Sequence, residues 1–268
     1  MVEMFEQDAM TEVRQSSKGN QLKWENNDIW YKADYTGYEG LAEYIVSALL
    51  ADSSLKKEEY ISYQTEEISY KKTRFTGCKS SNFLPEGWRL ITLERLFQNV
   101  YGHSLSKSLY TINDYEKRVR FLVEQTIRLT GLEAFGSYLS KLLTIDALFL
   151  NEDRHTHNIA VLQDNEENYH YCPIFDNGAA LLADSFMDYP LGGKIDEMIA
   201  DVKAKTICQD FDEQLNIVEK LYGRHVAFYF DRKEVEKLLE NEQYYPEEIK
   251  QRVLAIVMNQ RRKYQYLF

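Results

Sequence analysis

Residues 151–162 read NEDRHTHNIAVL, and residues 173–178 read PIFDNG. The first stretch follows an apolar run at helical spacing over 133–150, so its polar residues fall on a loop between a long helix and a short strand. That loop carries an acid, Asp153, and an amide, Asn158, five positions on. A predicted hairpin follows, with strands over 159–162 and 169–175 and the polar turn 164–168 between them. It delivers a second acid, Asp176, directly ahead of Asn177-Gly178. Asp and Asn are common in loops, and Asp-Asn-Gly alone is a turn. The weight lies in the order of loop, strand, turn, strand and acid within one short stretch.

Working outward, two textures meet. In the N-terminal third, Trp24, Ile29, Trp30 and Tyr31 surround Asn26-Asn27-Asp28, which predicts a hairpin. Residues 40–50, GLAEYIVSALL, predict a helix, and strands are expected over 59–68 and 71–76. Residues 77–88, GCKSSNFLPEGW, are rich in turn formers and mark the boundary. Beyond it the pattern is helical at 90–100, 114–129 and 133–150, and again near 195–204, 211–221, 232–240 and 246–264. The expected architecture is α+β and bilobal, with a strand-rich N-lobe over 1–89, a helical C-lobe over 90–268, and a cleft near 77–90.

Composition narrows the classes. With 268 residues, 44% hydrophobic and 28% charged, the chain can bury a core without a metal or disulfide staple. A formal charge of −11 disfavours a direct grip on nucleic acid, which runs on neutralised phosphates. No run of about 18–20 apolar residues offers a membrane span, and Met1 to Met10 lacks a basic leader segment. Cys78, Cys172 and Cys208 are far apart and odd in number, which suits reduced thiols in a cytoplasm.

The acid–amide–acid order is the pattern of kinase-like phosphotransferases. There a loop Asp orients or deprotonates the acceptor hydroxyl, and an Asn and a later Asp hold Mg²⁺ on the nucleotide phosphates. Mg²⁺ takes hard oxygen ligands and keeps waters, so one carboxylate and one amide oxygen suffice. N-x-D-R-H-x-x-N (residues 151–158) followed by F-D-N-G (residues 175–178) resembles the HipA-like serine/threonine kinases, a branch of the protein-kinase-like superfamily. Type II phosphatidylinositol kinases share a similar D-R-x-x-x-N and D-N-G pair. The resemblance implies that Asp153 is the catalytic base and that Asn158 and Asp176 bind magnesium. Asn177 then stands where protein kinases keep the Phe of D-F-G.

A kinase also needs a strand lysine for the nucleotide phosphates and a helix acid to hold it. Lys32 lies in the strand Ile29-Trp-Tyr-Lys-Ala, and Glu43 on the helix that follows; Glu39, nearer the helix start, is the alternative. The phosphate loop is expected just before, in QSSKGNQLK at 15–23, where Gly19 admits backbone N–H groups and Ser16, Ser17 and Lys18 add donors. Gly-Asn-Gln-Leu-Lys resembles the family's G-x-Q-x-K loop. The resemblance further implies autophosphorylation of Ser16 or Ser17 that ejects the loop and stops ATP binding.

Together these readings predict transfer of the γ-phosphate of ATP, with Mg²⁺, to a Ser/Thr hydroxyl of a protein in the cytoplasm. The resemblance also implies an antitoxin-like partner. Full-length HipA toxins carry an extra N-terminal subdomain, whereas only Met1 to Arg14 precede the expected loop here, so the chain resembles the kinase core. The alternatives are a pseudokinase or interaction module, and a lipid or small-molecule kinase of the same fold. His155-x-His157 beside Asp153 is too sparse for a zinc site, which wants three or four close ligands.

Overall fold

In the computed structural model, which describes residues 1–5 and 21–268, Asn27 and Asp28 both take positive φ, 51° and 60°. Two successive left-handed residues are what a two-residue hairpin turn requires, and Asn and Asp tolerate them best among non-glycines. They join β2 (Lys23–Asn26) to β3 (Ile29–Ala33), pairing Trp24 with Tyr31 and Lys23 with Lys32. After α1 (Glu39–Leu50) come β4 (Gln64–Tyr70) and β5 (Thr73–Ser81). With β1 (Val2–Met4), these strands form a sheet in the order β1-β4-β5-β3-β2, with β1 parallel to β4 and the other pairs antiparallel.

Alternation along β3 divides the two faces of this sheet. Tyr31 and Ala33 pack with Met4, Trp24 and Ile68, while Lys32 and its register partner Cys78 share the opposite face. Helix α1 lies close against β5. A Cβ on Gly77 would sit 2.1 Å from the Lys32 carbonyl oxygen, and one on Gly40 would sit 2.4 Å from the Gly77 carbonyl carbon. The neighbours are backbone and cannot swing aside, so Gly40 is required for the helix to approach β5 and Gly77 for β5 to sit against β3. Gly77→Ala is therefore expected to destabilise the protein by about 1–3 kcal/mol through overpacking, read as a lowered denaturation midpoint with an unchanged denaturant slope.

The helical part begins with β6 (Arg89–Thr92), which runs into α2 (Leu93–Tyr101), capped by Thr92. Next come α3 (Leu105–Tyr110), α4 (Tyr115–Thr130) and α5 (Phe135–Phe149). Asp114 caps α4, accepting from Lys117 N at 2.8 Å, and Gly131 ends it in the left-handed region at φ 71°. Helix α5 is buried on nearly every side and forms the axis of the lobe. β7 (Ala160–Gln163) and β8 (Tyr169–Tyr171) complete a second sheet in the order β6-β7-β8. α6 (Ile195–Asp201), α7 (Phe211–Tyr222), α8 (Arg232–Asn241) and α9 (Glu247–Lys263) close the chain. Among the described residues, no helix is long and apolar enough to cross a membrane.

The chain departs from the sequence-based expectation at five places. Residues 77–81 belong to β5, because Gly77 serves a close approach and not a turn. Residues 89–92 are a strand: Thr92, as N-cap, starts the helix only at Leu93. β8 stops at Tyr171, since Pro173 has no N–H for a ladder, and Ile174 pairs instead with Tyr60. α3 was not anticipated, and the expected strand over 59–68 starts only at Gln64.

Candidate active site

Lys32 Nζ donates to Glu43 Oε1 at 2.6 Å and to Asp176 Oδ1 at 2.8 Å. Glu43 lies one helical turn beyond Gly40, so the glycine contact with β5 is what brings its carboxylate onto β3. Its other oxygen accepts the Asn177 N–H at 2.8 Å, tying α1 to the Asp-Asn-Gly turn. Glu39, the alternative partner, instead accepts from the backbone N–H groups of Thr36 (2.7 Å) and Gly37 (3.1 Å). Asp176 holds φ at 61°, in the left-handed region that Asp tolerates better than most residues. Burial alone would raise the Asp176 carboxyl, but Lys32 and Lys23 hold it well below the usual carboxylate range. Burial would likewise lower Lys32, yet Asp176 and Glu43 carry its ammonium well above its ordinary value.

Asp34 anchors the start of α1. Its Oδ1 accepts from Gly40 N at 2.6 Å, and its Oδ2 accepts from Thr76 Oγ1 and Tyr245 Oη, both at 2.7 Å. Burial, with Glu39 nearby, pushes Asp34 up to about 7. Tyr245 comes from the segment between α8 and α9, so the strand-rich and helical parts are joined here as well as at the Asp-Asn-Gly turn.

Across the cleft, Arg154 organises the loop after α5. It is fully buried, and its Nε meets both oxygens of Asp146 at 3.2 Å. Nη1 donates to the carbonyls of Asn158 (3.1 Å) and Phe175 (2.7 Å), and Nη2 donates to Asn177 Oδ1 (2.9 Å). One guanidinium thus fixes both polar loops relative to each other. Thr156 adds a tie to Glu94 of α2 at 2.7 Å. Ile174, two residues before Asp176, is held by Glu59 O and Ile61 N at 2.8 and 2.9 Å. Asn158 Nδ2 donates to the Asp153 carbonyl at 2.9 Å and lies 3.4 Å from Asp153 Oδ2.

The cleft between these parts is lined by Asp153, Asn158 and Asp176, with Lys23, Glu39 and Asp184 among its other walls. None of residues 77–90 is among the side chains that line it. Residues 83–88 instead carry Phe83, Leu84 and Trp88 onto Ala160, Leu162 and Cys172. Lys32, Glu43, Asp153, Asn158 and Asp176 are therefore brought to one place. Ser16, Ser17, Lys18 and Gly19 lie outside the described residues. Sequence reasoning passed over Arg154, although it sits inside the quoted motif, and Lys205, whose Nζ is 3.6 Å from Asp153 Oδ1 and whose segment carries no motif.

Among the described residues there is no group of three or more His, Cys, Asp or Glu side chains that could hold a metal ion. The Asn158–Asp176 pair has a different chemistry. Asn158 commits its Nδ2 to Asp153, which leaves its Oδ1 as an acceptor, and Asp176 is kept ionised. One amide oxygen and one carboxylate match a hard cation that draws its remaining ligands from phosphates and water.

A strand-rich part with a lysine–glutamate pair, a helical part with an acid–amide loop, and an Asp-Asn-Gly turn between them define a protein-kinase-like fold. Nineteen chains of solved structures match this one. Among them is the crystal structure of the proinflammatory kinase CtkA of Helicobacter pylori, with a TM-score of 0.62 and 17% sequence identity over 95% of this chain and 92% of that one. The likeness extends over both lobes and is one of fold. No protein-family model matches the chain, and neither does any curated protein sequence.

Proposed function

We propose that this protein is an ATP- and Mg²⁺-dependent phosphotransferase that delivers the γ-phosphate to a hydroxyl group, with Ser or Thr of a protein as the acceptor. The observation that carries the reading is Lys32 Nζ seated between Glu43 and Asp176, at 2.6 and 2.8 Å, on a cleft that also holds Asp153 and Asn158. Lys32 binds the nucleotide phosphates, and Glu43 orients it. Asn158 Oδ1 and the Asp176 carboxylate would hold Mg²⁺, which supplies charge neutralisation on the phosphates. Asp153 accepts the proton of the acceptor hydroxyl.

A protein acceptor is favoured by the loop that borders the cleft. Phe186 and Met187 are 75% and 76% exposed, while the loop itself is pinned by Phe186 N to Thr36 O at 2.9 Å and Tyr189 N to Asp184 O at 2.8 Å. Two large apolar side chains on a fixed loop suit a polypeptide better than a small polar acceptor. The test is transfer of labelled γ-phosphate into bacterial lysate proteins. Wild-type protein is expected to label protein only with Mg²⁺ present, and Asp176→Asn and Asn158→Ala to abolish labelling without a change in circular dichroism. Label entering lipid or small molecules alone would overturn the protein acceptor. No transfer, with ATP bound, would make the chain a pseudokinase.

A further inference from the structure

The segment between α6 and α7 has no regular structure, yet it is firmly held. Tyr110 Oη donates to the Lys205 carbonyl at 3.2 Å, Thr206 Oγ1 donates to the Arg154 carbonyl, and Arg118 Nη1 donates to the Ile207 carbonyl. Ala204, Thr206, Ile207 and Cys208 are all buried. Lys205 is the exception: its side chain is 40% exposed and its Nζ lies 3.6 Å from Asp153 Oδ1. The anchoring of this strap does not depend on that contact, because its backbone is already tied to α3, α4 and the Asp153 loop.

His155 meets the same oxygen from another side, with Nε2 at 3.7 Å from Asp153 Oδ1. Its Nδ1 accepts the His157 N–H at 3.2 Å, so the neutral ring keeps its proton on Nε2, facing the carboxylate. Burial pushes His155 below its ordinary value, with Asp153 opposing. Lys32 and Lys23 lie toward Asp176. Among the described residues, Lys205 is the lysine or arginine that stands beside Asp153. The cleft walls carry Glu39, Asp153, Asp176 and Asp184, with Lys23 among them.

We propose that Lys205 is a catalytic residue on the acceptor side of the cleft, where its ammonium contacts the phosphoryl group in transit. The proposal rests on the phosphotransferase reading above. In the step, the acceptor oxygen forms a bond to the γ-phosphorus, the bond from that phosphorus to the β–γ bridging oxygen breaks, and its electron pair leaves with ADP. The acceptor proton passes to Asp153. Lys205 stays protonated throughout and donates hydrogen bonds to an equatorial phosphoryl oxygen, where negative charge is spread in the transition state. It also holds Asp153 Oδ1 from the side, leaving the carboxylate aimed at the acceptor.

The test measures γ-phosphate transfer to lysate protein and ATP hydrolysis, in which water replaces the acceptor, for wild type, Lys205→Ala, Lys205→Arg and Asp153→Ala. ATP affinity is measured by calorimetry and stability by thermal unfolding. Lys205→Ala is expected to lower kcat for both reactions by about 10²-fold, on the scale of losing one preorganised charge donor. ATP affinity should stay within about twofold and the thermal midpoint should hold, because the strap keeps its backbone ties. Lys205→Arg should recover about tenfold of that loss, which a merely structural ion pair would not do through kcat alone. If Lys205→Ala keeps wild-type kcat while Asp153→Ala is inactive, the proposal fails and the phosphotransferase reading stands. A loss in Lys205→Ala matched by lost ATP affinity or a lower midpoint also overturns it. If wild type itself transfers nothing, or Asp153→Ala transfers normally, the underlying reading fails and takes this proposal with it.

Discussion

Asp153→Ala is expected to lower kcat by about 10²- to 10⁴-fold, the range for losing a positioned general base, while ATP affinity stays within about twofold. The separation of the two effects comes from placement. The proposed nucleotide side of the cleft holds Lys32, Glu43 and Asp176, joined at 2.6 and 2.8 Å, and none of these bonds involves Asp153. Asp153 instead faces Asn158, His155 and Lys205, at 3.4, 3.7 and 3.6 Å. The loop geometry survives the truncation, because Asn158 is also held through the Asp153 backbone carbonyl, at 2.9 Å, and through its own carbonyl to Arg154, at 3.1 Å. Asp153→Asn is expected to match the alanine variant, since an amide fills the space without accepting a proton. Steady-state transfer with calorimetry of ATP binding checks both. A variant that lost ATP affinity and turnover together would place Asp153 on the nucleotide and not on the acceptor.

What the sequence made legible follows chain proximity. The Asn27-Asp28 turn was readable because two adjacent residues carry the whole conformational demand. The loop at 151–158 and the turn at 175–178 were readable because a short hairpin must bring them side by side. Lys32 and Glu43 were readable as partners because a strand and the next helix usually pack together. Features that depend on distant contacts left no such trace. Gly77 looks like a turn former, and only the proximity of the Lys32 carbonyl shows why it must be glycine within β5. Strand β6 is four residues long and runs straight into a helix, so no periodicity separates it. The bond from Tyr245 to Asp34 and the approach of Lys205 to Asp153 join segments whose order in the chain says nothing about their adjacency.

The largest loss of stability is expected from Arg154→Met, at about 3–5 kcal/mol, the range for stripping one partner from a buried ion pair. Both side chains are 1% exposed, so water cannot replace the guanidinium around Asp146. Four groups lose a donor at once: Asp146, the Asn158 and Phe175 carbonyls, and Asn177 Oδ1. Three of these belong to the loops that carry the proposed metal ligands, so ATP-dependent transfer should fall with stability. The sign of the pH dependence follows from Asp146. Burial lifts its carboxyl to about 6 from an ordinary 3.8 even with Arg154 opposing, and loss of the guanidinium lifts it further. The folded state then binds this proton more tightly than the unfolded chain, so stability falls as pH rises through the window between the two values. The penalty of Arg154→Met should accordingly be smaller at pH 5 than at pH 8. Adding Asp146→Leu removes the stranded charge and should recover a large part of the stability, while leaving the Asn158 and Phe175 carbonyls without their donor and transfer still impaired. Denaturant melts of the two variants at both pH values check this. A single variant that unfolds like wild type at pH 8 would show that Arg154 is not what holds the two loops together.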